Sequence, residues 1–455
     1  MRCLNGCTAS VALSLALACG IEQGGPPELA KPSNVILVLV DTLRADHMSL
    51  YGYERPTTPF IDELAAEGVV FDRARSQAGC TYPSVNSMLT SRYPFDFYAR
   101  GPGDMGIPEE YPSLAEILEE RGFETVAISA SPIVRVTPSS HNPTGGFGRG
   151  FDVFDEQCLW KPAECVNEKA LELLATVREP FFLYLHYMDP HDRYRPPATH
   201  ERRFAGAYDG LDFIADGNPN PISDMLYDDG PTIDYTDRDI QHLVDLYDEE
   251  ILYFDGELRA LVAALRQSGV LERSLLVLTS DHGEEFLEHG HVKHCRGVWD
   301  TLTRVPLLLR TPGSPARMRI STPVQLVDIM PTVLDILRIE APALAVEGGS
   351  LRALMGGPTP TRRHAFSDQV EYRSSDDGRF HLIFNGLEGT YALYDMLKDP
   401  LEQNDLVRSH ALEAQRLTNV LENWLKETGQ WEHFDLALVA AEAQQEQLRA
   451  LGYLE

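Results

Sequence analysis

Positive charge is what this chain has least of. It carries 39 Lys and Arg against 69 Asp and Glu, a formal charge of −30. Such a balance argues against nucleic acid or an anionic membrane surface as a partner. It also repels an anionic small molecule at long range, so capturing one needs a local positive centre, most simply a metal ion. Long apolar runs are missing too. Ala9 to Ala18 is apolar apart from two serines, too short to span a bilayer as a helix, and no later segment resembles a span. No internal repeat is visible. Cysteine is sparse: of seven, Cys3, Cys7 and Cys19 sit in the first twenty residues, leaving Cys80, Cys158, Cys165 and Cys295. Apolar side chains are not lacking. With 43% hydrophobic and 9% aromatic residues in 455, the chain can build a real core, in two or three domains or one large α/β domain with an appendage.

The N-terminus reads as an export signal over residues 1–19, with Arg2 as its positive start. Ala16-Leu17-Ala18-Cys19 resembles a bacterial lipoprotein processing site, which makes Cys19 the lipidated residue. Leu is usual three residues before that cysteine, and Ala16 stands there, so a plain secretory cut nearby is the alternative. Residues 20–33 are polar and contain Gly and Pro, as a tether does. The expected location is the periplasm or cell envelope, with membrane contact through the N-terminal lipid only. An exported chain permits disulfides, and Cys158 with Cys165 reads as a short loop staple.

Asn34 to Val40 (NVILVLV) is continuously apolar, which suits the centre of a parallel sheet, and it ends at Asp41. Open α/β sheets place ligands at such carboxyl ends. Thr58 as cap, Pro59, an apolar face of Phe60, Ile61 and Leu64, and Gly68 as stop predict a helix. A helix over about 113–121 leads to a strand at 124–130. A helix at 168–177 leads to the buried strand 180–187, which runs into His186, Asp189 and His191 before the loop 193–197. Residues 198–238 are acidic and rich in Gly, Pro and Asn, a long surface excursion. Residues 239–267 read as a helix with acidic residues on its solvated face. The strand 275–280 ends in Asp281-His282-Gly283-Glu284, followed by His289, His291 and His294. Residues 305–310 form another strand, and 324–337 a strand or turn entering a helix. Past Val346 the pattern becomes that of a small antiparallel unit (380–384, 392–394) with a helix at about 412–426.

One further stretch, Gly79-Cys80-Thr81-Tyr82-Pro83-Ser84-Val85, opens a helix at Pro83, with Val85, Met88 and Leu89 at helical spacing. Thr81 would then lie at a helix N-terminus, where free N–H groups favour an anion. Taken alone, this is equally the buried polar turn of an ordinary helix. Together with Asp41, Asp281 and His282 it becomes a candidate oxygen-and-nitrogen metal site for Zn, Mn, Mg or Ca. Such a cation would favour the Thr81 alkoxide and polarise an ester oxygen. His191 or His294 would protonate the leaving group.

These segments together resemble the sulfatase family of the alkaline-phosphatase-like superfamily. The matching stretches are Val40 to His47, Thr81 to Thr90, His186 to Pro197, Ser280 to Glu284, Arg304-Val305-Pro306, Leu393-Tyr394-Asp395 and Asp399-Pro400. The tail 448–454 also resembles endings common in the family. The resemblance implies an α/β sandwich with a large, mostly parallel central sheet flanked by helices over 34–345. A small C-terminal α+β subdomain over 346–455 completes it. It implies Asp41, Thr81, Asp281 and His282 as ligands of a divalent metal, with His191 and His294 beside them.

The departures from the family bear on the chemistry. Sulfatases carry Cys-x-Pro-Ser-Arg, or Ser for Cys, whose first residue is oxidised to formylglycine. Aligning on Pro83-Ser84 puts Thr81 there and Val85 at the Arg position, while Cys80 comes one residue too early. Thr is no substrate for that oxidation. The second Asp of the family's pair is Thr42, its Asn partner is His282, and no Gly-Lys-Trp-His stretch follows Phe123. Thr with Asp and His ligands is more like the superfamily's phosphodiesterases and phosphoethanolamine transferases. A formylglycine hydrate releases sulfate by elimination, an exit a sulfated Thr lacks, whereas a phosphorylated Thr is cleared by in-line attack of water. The sequence thus reads as a metal-dependent hydrolase of sulfate or phosphate/phosphonate esters acting through Thr81 on an anionic ester. An envelope transferase of phospho-headgroups and an inactive metal-stabilised binding protein are the alternatives. The resemblance also brings Cys80 and Cys295 to one pocket rim, as a disulfide or as two small buried residues.

Overall fold

Every residue of the strand Asn34–Val40 (β1) is buried, and a strand sends alternate side chains to opposite faces. Ile36, Val38 and Val40 accordingly enter one apolar core, and Val35, Leu37 and Leu39 a second. A strand with two apolar faces needs cover on both sides, which dictates a helix–sheet–helix sandwich. The structure is a computed structural model. It describes residues 29–98, 105–213, 235–340, 346–356 and 363–429. The expected leader with Cys19, most of the expected tether, residues 214–234 of the acidic stretch and the tail 448–454 lie outside the described residues.

The other strands of the large sheet are Val69–Arg75 (β2), Glu124–Ser129 (β3), Val153–Asp155 (β4), Phe181–Tyr187 (β5) and Ser274–Ser280 (β6). After the two-residue hairpin strands Glu285–Phe286 (β7) and Val292–Lys293 (β8) come Arg304–Arg310 (β9), Met318–Ile320 (β10) and Val324–Gln325 (β11). The nine-stranded sheet has the order β10-β2-β9-β6-β1-β5-β3-β4, with β11 also on β2. β1 pairs in parallel with β5 and β6, and only β9 runs against its neighbours. The mostly parallel sheet read from the apolar runs is therefore present.

Pro59–Ala65 (α1), Ala163–Leu174 (α4) and the long Asp237–Gln267 (α5) cover one face. Thr81–Thr90 (α2), Leu114–Glu120 (α3) and Ile329–Ile336 (α6) cover the other. A second sheet, Ala365–Gln369 (β12), Tyr372–Asp376 (β13), Phe380–Asn385 (β14) and Thr390–Asp395 (β15), is antiparallel in sequence order. Helix Ala411–Glu427 (α7) packs on it through Leu417, Leu421 and Trp424. Among the described residues, no helix is long and apolar enough to cross a membrane.

Two local expectations are corrected. Thr58 precedes α1 but its side chain accepts no bond from the helix. The free N–H groups of Phe60 and Ile61 donate instead to Asp255 on α5, at 2.8–3.1 Å. The acidic residues of α5 are not all on a solvated face: Asp248, Glu249, Glu250 and Asp255 are buried. Two of the four show why that is tolerable, since buried charge needs partners. Asp248 binds His47, Tyr53 and Arg55, and Glu249 accepts from the Arg203 and Ala205 amides.

Candidate functional site

The site stands at the carboxyl ends of β1, β5 and β6, facing the N-terminus of α2. Asp41 directly follows β1, and its N–H still donates to Tyr187 O of β5 at 2.9 Å. Thr42 then turns the chain with φ +57°, a rare conformation for a β-branched residue and one that collects at functional sites. The turn is held because Thr42 N–H donates to Asp281 Oδ1 (3.3 Å) and Tyr247 OH to Thr42 O (2.7 Å). Asp281 follows β6, and His282 N–H donates to the same Oδ1 at 2.9 Å. Gly283 is required next: a Cβ there would lie 1.9 Å from Thr301 O.

Asp41, His186 and Asp281 each bring one donor atom within 4.8 Å of the other two. His282 Nε2 adds a fourth, 3.4 Å from Asp281 Oδ2 and 3.8 Å from Asp41 Oδ1. Those two carboxylate oxygens are buried and without a hydrogen-bond partner. Buried, unpaired carboxylate oxygens of two neighbouring aspartates are costly unless a cation sits between them. The residues present therefore fit a divalent metal. The imidazoles are oriented for it as well. His282 Nδ1 faces Gly283 O at 2.9 Å, and a carbonyl can only accept, so the proton is on Nδ1 and the Nε2 lone pair looks into the site. His186 Nδ1 lies 3.0 Å from Tyr184 OH, with Nε2 toward Asp41 Oδ2 at 3.2 Å. Burial works against ionisation of Asp41, but the His186 hydrogen bond and nearby imidazoles hold it below the carboxylate range. Burial, and then the Asp41 charge, push Asp281 upward.

Thr81 opens α2, and its Oγ1 lies 3.1 Å from His282 Nε2. Ser84 is tied down by Ser76 Oγ and Ala78 O, and Val85 points into the apolar core. A basic side chain at position 85 would thus enter the core. Cys80 is bonded to Cys295, whose N–H also donates to Gly79 O at 2.7 Å. The bridge ties the turn that carries Thr81 to the residue after His294, and it consumes the thiol adjoining Thr81. Cys158 and Cys165 are bonded as well.

The His294 ring is 4.5 Å from that of His282 and 5.1 Å from that of His191. Burial opposes a charge on His191, but Asp192, 3.0 Å from its Nδ1, pushes it up to about 10. Burial, then His282 and His191, hold His294 well below its usual value, although its Nδ1 binds Glu284 Oε1 at 2.9 Å. One imidazole is thus kept cationic and its neighbour neutral, the kind of separation that assigns acid and base roles. His191 and Lys293, the latter 3.0 Å from Asp192, line a cleft of about 770 Å³.

The structure thus gathers Asp41, Thr81, His191, Asp281, His282 and His294, all six picked from the sequence. It also adds His186 to the donor set. The sequence flagged the run His186 to His191 but gave His186 no ligand role. The missing signal was strand pairing, since only the β1–β5 register sets His186 beside Asp41. His289 lies elsewhere, between Glu285 and Leu401 O and stacked on Trp299. Among the described residues, one cluster of three possible ligands is present, and Asp189 is not in it.

Comparison with known proteins bears on this geometry. The sulfatase family model matches residues 33–339, and a model of the N-sulphoglucosamine sulphohydrolase C-terminal region matches 287–431. Arylsulfatase K of Bos taurus is 25% identical over 358 residues, covering 71% of this chain. This chain spans 66% of that relative's length. A sulfatase of Formosa agariphila is 23% identical over 424 residues, 82% of this chain and 83% of its own. Among solved structures, a protein bound to its substrate D-glucosamine-2-N,6-O-disulfate superposes with a TM-score of 0.69 at 20% identity, over 88% of this chain and 98% of that one. The phosphonate monoester hydrolase of Agrobacterium radiobacter gives 0.69 at 20%, over 88% and 96%. These likenesses establish a shared fold.

Proposed function

The chain belongs to the sulfatase family, and on that premise we propose that it is an exported, divalent-metal-dependent hydrolase of sulfate or phosphate/phosphonate esters with Thr81 as nucleophile. One observation carries the reading. Thr81 Oγ1 stands at the start of α2, 3.1 Å from a bare imidazole nitrogen, beside two buried carboxylates that each keep an unpaired oxygen. Asp41, His186, Asp281 and His282 would hold the metal, which supplies positive charge that favours the Thr81 alkoxide and polarises the ester. The remaining work falls to the chain. Its helix N-terminus faces the incoming anion. Thr81 Oγ1 attacks phosphorus or sulfur in line, and the bond to the leaving oxygen breaks. His191, cationic at neutral pH, is the acid that protonates that oxygen, and His294 keeps it in place. Water then attacks the Thr81 ester and gives a proton back to His191, the sulfate, phosphate or phosphonate leaves with the water oxygen, and Thr81 returns to its alkoxide. In this reading the leader ending at Cys19 anchors the protein in the cell envelope.

Metal content, measured with turnover of an aryl sulfate, a phosphate diester and a phosphonate monoester, tests the reading. Hydrolysis of at least one, lost with a chelator and in Thr81→Ala, is the expected result. No hydrolysis of any by protein that holds metal would contradict it and favour a transferase or a binding protein.

A further inference from the structure

Trp160 is a large aromatic residue left 46% exposed. Its backbone has φ +56°, a conformation that bulky residues rarely adopt. Three constraints hold it there. Trp160 N–H donates to Ala130 O (3.0 Å), just beyond β3 at the same edge of the sheet as the metal donors. Lys161 N–H donates to Cys158 O at 2.8 Å. The Cys158–Cys165 disulfide closes the loop around both residues. The two cysteines pack in the core, but the exposed indole that they hold in an unfavourable conformation does not, and such outliers point to binding. The indole lines the 770 Å³ cleft together with His191, and the two ring centroids are 5.6 Å apart. Lys161, Arg193, Arg195 and Lys293 line it too, alongside Asp189, Asp192 and Glu250, with Lys293 paired to Asp192.

We propose that Trp160 and Lys161 form a leaving-group subsite for a cyclic alcohol that carries a second anionic group. The inference rests on the ester-hydrolase reading. There, His191 protonates the leaving oxygen, so the rest of the alcohol must extend along the indole. A flat ring face packs on Trp160, and the substituent anion meets Lys161. Phenols and pyranoses both offer such a face.

Binding of the alcohols themselves tests this without turnover. The probes are 4-hydroxybenzoate and the methyl glycoside of glucuronic acid, each against its uncharged counterpart, phenol and methyl glucoside. Binding to the full chain is read by titration calorimetry and tryptophan fluorescence. The expected result is binding of at least one ring acid, weakened about tenfold in Trp160→Ala, largely restored in Trp160→Phe, and with the preference for the acid lost in Lys161→Ala. Which acid binds separates the aryl from the sugar source. Unchanged thermal midpoints in the variants exclude misfolding. Turnover of a simple ester with no ring-acid binding, or equal binding by Trp160→Ala, would overturn the subsite. Ring-acid binding without any turnover would overturn the hydrolase reading and leave the subsite standing.

Discussion

Asp189 and Glu250 face each other across the wall of the cleft, both buried, with Asp189 Oδ2 lacking a partner. Burial is the first reason their protons are held. Asp189 is pushed up to about 7, and burial together with Asp189 drives Glu250 well above its usual value. An acid raised in the folded state stabilises the fold below its unfolded pKa, and that contribution is lost as pH rises to the folded value. Stability should therefore fall between about pH 4 and about pH 7. Glu250→Gln keeps a hydrogen-bond donor and removes one charge. Its thermal midpoint is expected to change less than the wild type's between mildly acidic and mildly basic buffer. Parallel profiles for the two proteins would count against a raised Asp189–Glu250 pair. At this scale the sequence was legible where chemistry coincides with a strand end, as at Asp41, Asp281 and His282. Glu250 did not announce itself inside a helical pattern, and His186 stood out at the end of an apolar strand without a ligand role. Only tertiary pairing gives them partners.

Helix α2 is the element on which the site turns, and its start was readable from Pro83 and the apolar spacing behind it. The side-chain partners of other helix starts lie near or far in sequence, and neither kind was read correctly at α1 or α5. The Thr236–Asp239 capping box of α5 lies in adjacent sequence, whereas the acceptor for the α1 amides is Asp255, nearly two hundred residues away. α2 has no side-chain cap from Cys80. It is secured instead by the bridge to Cys295, across a sequence separation of 215. Closing so long a loop contributes up to about 5 kcal/mol in the chain-entropy model. Cys80→Ser combined with Cys295→Ser is expected to lower the denaturant midpoint strongly. It should also lower kcat more than KM, since Thr81 and His294 lose their common tether. A double variant with wild-type midpoint and kcat would show that the bridge neither stabilises nor positions.

For the whole molecule, the two sheets are joined through a buried cation. Arg75 at the end of β2 donates to Asp376 of β13 and to Asp300, both at 2.6 Å, and to Thr303 Oγ1 at 2.8 Å. Burial disfavours its charge, but the Asp376 and Asp300 carboxylates keep it firmly protonated. Arg75→Met would leave those carboxylates uncompensated in the interior. That is expected to cost about 3–5 kcal/mol in urea unfolding, against about 0–1 for an ordinary surface pair. A loss in the surface-pair range would mean that the sheets are held without Arg75, by apolar contact and by bonds such as Asp368 N–H to Gln77 O and Ser367 Oγ to Ser76 O. The apolar runs announced the large sheet and its parallel order, and the change of pattern past Val346 announced the small one. The contact between them was not legible, since Arg75, Asp300 and Asp376 carry no local pattern that links them.

The central claim is that the nucleophile is an unmodified Thr81. Peptide mass spectrometry of protein quenched during turnover tests it most directly. The expected result is the mass of one phosphoryl or sulfuryl group on the peptide containing Thr81, localised to that residue. Cys80 is expected to be still bonded to Cys295. The same group trapped on another residue, or an aldehyde at position 80, would contradict it.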